Sequence, residues 1–278
     1  LNRVPLAEYA QGFDVLGKLG LGSGIGGVPS PLHIYLLPHT LMKYSTYYDK
    51  VLLSILKKDP LGVLLIVGND KQELWAQKLY RRLMEAGTSI SDDDSDINSL
   101  KIGHFPHLGT AAFATHSSIE VNNTEITNIG SRIILIPRMK QNDYYTVMAS
   151  ATVVLDSFPF GMGVTALECF AAGVPVITLP MMQTVPELAA GMIRLIDKNI
   201  AESTSSADYL QTLSSRLIAN SIEEYISLAI NASNTTENFI LKNILIQQSS
   251  KAGLFSTSKS ASTASTVNEW VEFIENIA

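Results

Sequence analysis

The 25 residues from Asp156 to Pro180, DSFPFGMGVTALECFAAGVPVITLP, constrain the fold more than any other part of the chain. They join the end of an apolar strand to a glycine-containing loop, a short helix and a second apolar strand, the local architecture that holds a nucleotide diphosphate. Gly161 and Gly163 leave the loop free of side chains where strand turns into helix, so backbone N–H groups can approach a ligand closely. Those N–H groups, with the positive end of the helix dipole, favour an anion. Thr165 falls in the first helical turn, where its hydroxyl can donate to a phosphate oxygen. Glu168 lies about one turn further along the same face and can accept two hydrogen bonds from a ribose diol. Ala171, Ala172 and Gly173 are small, so the helix can pack tightly on a sheet and then stop.

The flanking pattern places this run in a larger unit. His33–Leu37 and Gly62–Val67 read as apolar strands, with helices expected from about Ser45 to Lys58 and from Lys71 to Glu85. Arg132–Pro137 is a strand rich in β-branched residues, Gln141–Ser150 a helix, and Thr152–Asp156 and Val174–Leu179 further strands. Strands apolar on both faces and separated by helices predict an α/β fold with a Rossmann-like parallel sheet covered by helices on both faces. Beyond about residue 186 the pattern is helical, including a helix from Ser221 to Asn231 that opens on the capping-box-like Ser221-Ile222-Glu223-Glu224. The expected organisation is residues 1–30 as a loop or remnant of a preceding lobe, 31–253 as the sheet domain, and 254–278 as a linker with a C-terminal helix. Four acidic residues among serines between Ser89 and Leu100 mark a solvated insertion, expected at about 87–130.

A net charge of −6 without any basic cluster beyond Lys57-Lys58 or Arg81-Arg82 argues against nucleic-acid binding. No apolar run approaches the ~18 residues that span a bilayer. Cys169 is the single cysteine, so neither an intramolecular disulfide nor a thiolate metal cluster can form, and its place in an apolar helix predicts a core residue. The chain opens on Leu1, and we expect it to be a fragment of something longer.

From Arg132 to Pro180, with Ser221-Ile222-Glu223-Glu224-Tyr225-Ile226-Ser227-Leu228-Ala229 downstream, the sequence resembles the C-terminal lobe of protein O-GlcNAc transferases and their SPINDLY-like relatives. These are two-lobed, GT-B-type glycosyltransferases whose C-terminal lobe holds the nucleotide sugar. The resemblance extends from about Leu36 to Leu254 and implies several roles. Lys43, three residues beyond Thr40, matches the family lysine on the diphosphate and would be the catalytic group that neutralises the departing nucleotide. Arg138 and Met139 fall in the base-recognition segment, with Tyr144 as the ring to cover the base and Tyr145 as its rival. Gln141 stands where the O-GlcNAc transferases often carry lysine. Gly163 and Val164 stand where the family usually has a histidine and threonine, so Thr165 alone is kept and more of the phosphate contact falls to backbone N–H groups. Glu168 replaces an aspartate at the ribose position, and Glu187 is assigned no function.

The resemblance implies the donor-binding lobe of an inverting, metal-independent glycosyltransferase that moves GlcNAc from UDP-GlcNAc to Ser or Thr of proteins. It requires no metal or cofactor, the nucleotide sugar being a substrate. The alternatives are a GDP-fucose-dependent protein fucosyltransferase or other GT-B hexosyltransferase, a sugar-nucleotide epimerase, and a non-catalytic scaffold lobe. No residue here is an expected general base, and His39 is read as structural. In the resembling family the catalytic histidine belongs to an N-terminal lobe, often preceded by tetratricopeptide repeats, which would be this chain's partner along with the protein acceptor. A cytoplasmic or nuclear location is expected, with the secretory pathway kept open.

Overall fold

The computed structural model describes residues 33–68, 73–89, 129–136, 139–180, 184–203, 212–249 and 254. Expectations for residues 1–30, most of the acidic insertion, the 254–266 linker and the C-terminal helix fall outside them.

Five strands form one parallel sheet: β1 (His33–Leu37), β2 (Gly62–Val67), β3 (Ile133–Ile136), β4 (Val153–Leu155) and β5 (Val176–Ile177), in the order β3-β2-β1-β4-β5. Tyr35 of β1 lies opposite Leu64 on one side and Val153 on the other. Leu64 in turn faces Ile133, and Val154 faces Val176. Tyr35, Leu36 and Leu37 are all buried, as are Val63 to Ile66, so alternate side chains on both faces are covered. That double burial is why these segments read as continuous apolar runs rather than alternating ones. The fold is the Rossmann-like α/β class that the sequence predicts.

Helices α1 (Thr46–Lys58), α2 (Glu73–Ser89), α3 (Gln141–Ser150) and α4 (Val164–Ala171) make the crossovers. They are followed by α5 (Thr184–Ser203), α6 (Leu213–Leu217), α7 (Ile222–Ser233) and α8 (Thr235–Gln248). α1 packs against α2 and α7, and α4 against α5 and α8. The Arg82 guanidinium grips buried Asp49 through Nε to Oδ2 at 2.5 Å and Nη2 to Oδ1 at 2.9 Å, clamping α2 to α1.

Several bounds differ from expectation, β4 (Val153–Leu155) and α7 (Ile222–Ser233) by one or two residues. α2 runs through Gly87 to Ser89, because one glycine costs a helix only about 1 kcal/mol. β5 is Val176–Ile177 rather than Val174–Leu179. The Val174 N–H closes the preceding helix by donating to the Cys169 carbonyl (2.9 Å), and Thr178 pairs instead with the α6 end, where Ala219 N–H donates to its carbonyl at 2.9 Å. Arg132 lies in a 3-10 turn before β3 instead of in the strand.

Candidate functional site

β1 and β4 are neighbours in the sheet, but their outward connections diverge. β1 leads to β2 on one side, and β4 leads to β5 on the other. A crevice at the carboxyl ends of such strands is where open α/β sheets place ligands. The residues after β1 and after β4 therefore meet, although they are over a hundred positions apart.

Two of the predicted residues meet there. Lys43 closes a 3-10 turn after β1, its N–H bonded to the Thr40 carbonyl at 3.0 Å. Its ammonium donates to the Gly161 carbonyl at 3.1 Å and stands 4.6 Å from the centre of the Phe160 ring. Burial lowers the Lys43 proton affinity and nearby Asp156 raises it, with burial prevailing. Thr40 is exposed.

The loop itself is anchored from below by Asp156. Its buried carboxyl accepts from Met162 N–H at 2.7 Å and from the Thr178 hydroxyl at 2.8 Å. Its backbone carbonyl accepts from the Tyr225 hydroxyl at 2.9 Å, and Tyr48 and Tyr225 hydroxyls bond each other at 2.9 Å. Burial pushes this carboxyl up to about 7, against the opposing pull of Thr178, Met162 N–H and Lys43. Ser157 Oγ donates to the Phe160 carbonyl at 2.8 Å and Ser45 Oγ to the Phe158 carbonyl at 3.1 Å, fixing the turn. The sequence placed Asp156 at the head of its key run but gave it no role, because burial of a carboxyl is not visible in a local pattern.

Gly163 is the N-cap of α4 and brings no side chain, so the first helical N–H groups receive no side-chain cap from it, and Thr165 in the first turn is half-buried. Val164 is 72% exposed, an apolar side chain where an anion would approach. Glu168, one turn on, accepts from the Tyr145 hydroxyl at 3.1 Å, and that hydroxyl accepts from Gln141 Nε2 at 2.7 Å. Tyr145 therefore stands beside the proposed ribose acid. Tyr144 is partly buried against the core with its ring 5.9 Å from that of Tyr145. Met139 is likewise half-buried against the core, and Arg138 lies outside the described residues.

His39 is 4% exposed and its Nε2 accepts from Ser157 N–H at 3.4 Å, 3.8 Å from Asp156 Oδ1. Burial, aided by Lys43 and opposed by the Leu155 backbone, pushes it down to about 3, so its ring is neutral and serves as a strut. Among the described residues no cluster of three His, Cys, Asp or Glu side chains is placed to hold a metal ion, and no helix is long and apolar enough to cross a membrane.

Beside the loop lies an open cleft of about 610 Å³ lined by Phe158, Leu179, Pro180, Glu187, Asn220, Ser221 and Ile222. None of the residues predicted for the diphosphate lines it. Glu187 there accepts from Arg194 Nη1 at 3.0 Å.

No family model matches the chain, and no curated protein does. Solved structures do resemble it. An O-GlcNAc transferase mutant from Thermobaculum terrenum superposes with a TM-score of 0.59 at 16% identity, over 88% of this chain and 37% of that one. HepE from Anabaena in complex with UDP and glucose gives 0.49 at 11% identity, over 100% of this chain and 56% of that one. The C-terminal domain of a group 1 glycosyl transferase, LpcC from Francisella tularensis, gives 0.48 at 12%, over 90% and 97%. The likeness is one of fold, that of a GT-B glycosyltransferase lobe. The chain spans little more than a third of the transferase that it matches at the highest TM-score of these three.

Proposed function

We propose that this chain is the donor-binding lobe of an inverting, metal-independent glycosyltransferase that transfers GlcNAc from UDP-GlcNAc to Ser or Thr of proteins. The observation that carries the reading is the Lys43 ammonium at the β1–β4 crevice, 3.1 Å from a carbonyl of the glycine loop. In glycosyl transfer without a metal, charge develops on the departing diphosphate, and a preorganised cation with helix-terminal N–H groups stabilises it. Lys43 supplies the first, and the 161–165 backbone with the Thr165 hydroxyl the second. Glu168, oriented by Tyr145, takes the ribose diol. Backbone groups of the segment from Arg138 through Met139 take the base edge, with Tyr144 or Tyr145 as the ring beside it. Acceptor deprotonation is left to a partner lobe, since His39 is buried and neutral.

One observation favours a second donor. Gln141, where the resembling transferases often have lysine, is turned to the Tyr145 hydroxyl, which leaves GDP-fucose as the alternative to UDP-GlcNAc. Thermal unfolding of the chain with UDP or GDP separates the two, because a ligand that binds only the folded state raises the melting temperature. We expect UDP to protect more strongly, and stronger protection by GDP transfers the assignment to a fucosyl donor. Lys43→Ala and Glu168→Ala should each weaken UDP about tenfold or more, the loss of one charge-assisted contact. Unchanged affinity in both would establish a scaffold lobe, and sugar transfer by the chain alone would overturn the assignment of the base to a partner.

A further inference from the structure

Among the described residues no cation is in direct contact with Asp156, the nearby His39 ring at 3.8 Å being neutral, yet the carboxyl lies directly under the loop that would hold two negative phosphates. The cation that offsets it is Lys43, whose ammonium bonds the Gly161 carbonyl and not the carboxylate. An arriving diphosphate turns that ammonium toward itself and adds its own negative charge above the loop. The carboxylate is then buried, uncompensated and repelled, and the state it can reach at least cost is the neutral acid.

We propose that Asp156 is a positioning residue of the loop that takes up a proton from solvent when a nucleotide sugar binds. The inference rests on the donor-binding reading. The proton settles on Oδ2, and the Thr178 hydroxyl reverses from donor to acceptor, as a hydroxyl can. Oδ1 keeps the Met162 N–H, so the loop stays anchored in both states. The other groups that face the carboxyl are the His39 ring at 3.8 Å and, through electrostatic coupling, the buried Tyr44, Tyr48, Tyr225 and Cys169. Burial holds those four neutral well above neutral pH, so none of them competes for the proton.

The test is isothermal titration of the whole chain with UDP-GlcNAc, and with GDP-fucose, at pH 7.5 in buffers of different ionisation enthalpy. The diphosphate of either probe is esterified at both ends and carries no group that titrates near neutrality. The wild-type chain is expected to absorb a large fraction of one proton per ligand, and its affinity to fall about tenfold from pH 6.5 to 8.5. Asp156→Asn mimics the neutral acid, accepting from Met162 and donating to Thr178, and is expected to bind with no proton uptake and a flat pH profile. Equal uptake in wild type and Asp156→Asn, or loss of uptake in His39→Asn instead, overturns the proposal. Should Asp156→Asn fail to fold, a wild-type affinity that does not change with pH overturns it unaided. Binding of neither nucleotide sugar removes the donor-binding reading and this inference with it, whereas binding without proton uptake removes this inference alone.

Discussion

Two aspartates show opposite responses to burial. Asp59 is desolvated, but hydrogen bonds from His33, Tyr35 (2.7 Å) and Leu61 N–H (3.0 Å) outweigh burial and hold its carboxyl below the usual range. Asp156 has too few charged donors to offset burial and is pushed up to about 7. An acid that binds its proton more tightly folded than unfolded contributes its full stability below its unfolded value, near pH 4, and loses that contribution as pH rises through its folded value. The stability that Asp156 contributes therefore drains away between about pH 4 and pH 7. Relative to Asp156→Asn, the wild-type chain is expected to lose on the order of 4 kcal/mol over that window, read from denaturant melts at each pH. Asp59 gives the opposite slope in acid, but it is common to both chains and cancels. Thr165 and Glu168 are proposed from their types and offsets in the glycine-loop run, whereas Lys43 is proposed only through the resemblance to a family. The sequence could not choose Tyr145 over Tyr144 as the partner of Glu168, since adjacent residues on a helix differ by 100° in direction and only packing settles which faces in.

At the scale of the element, the stop of α4 was legible and its cause is now visible. Gly173 adopts φ 72°, and the Gly173 and Val174 N–H groups return to the Phe170 and Cys169 carbonyls at 3.1 and 2.9 Å, the paired bonds of a Schellman end. A Cβ at this position would collide with the Ile246 side chain of α8. Gly173→Ala should therefore cost more than the 1–2 kcal/mol of the left-handed conformation alone, about 3 kcal/mol by chemical denaturation. A smaller loss would mean that Ile246 moves aside freely. The start of α7 was equally legible: Ser221 Oγ accepts from Glu224 N–H at 3.1 Å, while the Glu224 carboxylate turns to Asn220 N–H at 2.7 Å. Caps are local, so a sequence of four residues suffices to foresee them. What local sequence did not show is that α7 braces both ends of the sheet, Tyr225 on the Asp156 carbonyl and Ser233 beside Asp59 and His33.

Across the whole molecule the two ends of the sheet have different roles. The carboxyl end carries Lys43, the glycine loop and Asp156. The amino end is a buried polar knot in which Arg132 donates to the carbonyls of Leu56, Asp59 and Gly62 at 2.8 to 3.0 Å. Arg132→Met removes the guanidinium from all three carbonyls, the Asp59 carbonyl keeping the Gly62 N–H at 3.0 Å, and should cost about 3 kcal/mol of stability. Nucleotide affinity, measured well below the new melting point, should not change, and a parallel loss of affinity would show that the two ends are coupled. The succession of strands and helices along the chain, the class of fold and the glycine loop ahead of α4 were all determined by sequence alone, because apolar periodicity, glycines and caps act over a few residues. The pairing of Lys43 with Gly161, the burial of Asp156 and the cleft beside Phe158 were decided only by the tertiary structure. They depend on β4 lying beside β1 after β3 has formed the far edge, and that strand order joins residues 118 positions apart by a route that no local pattern encodes.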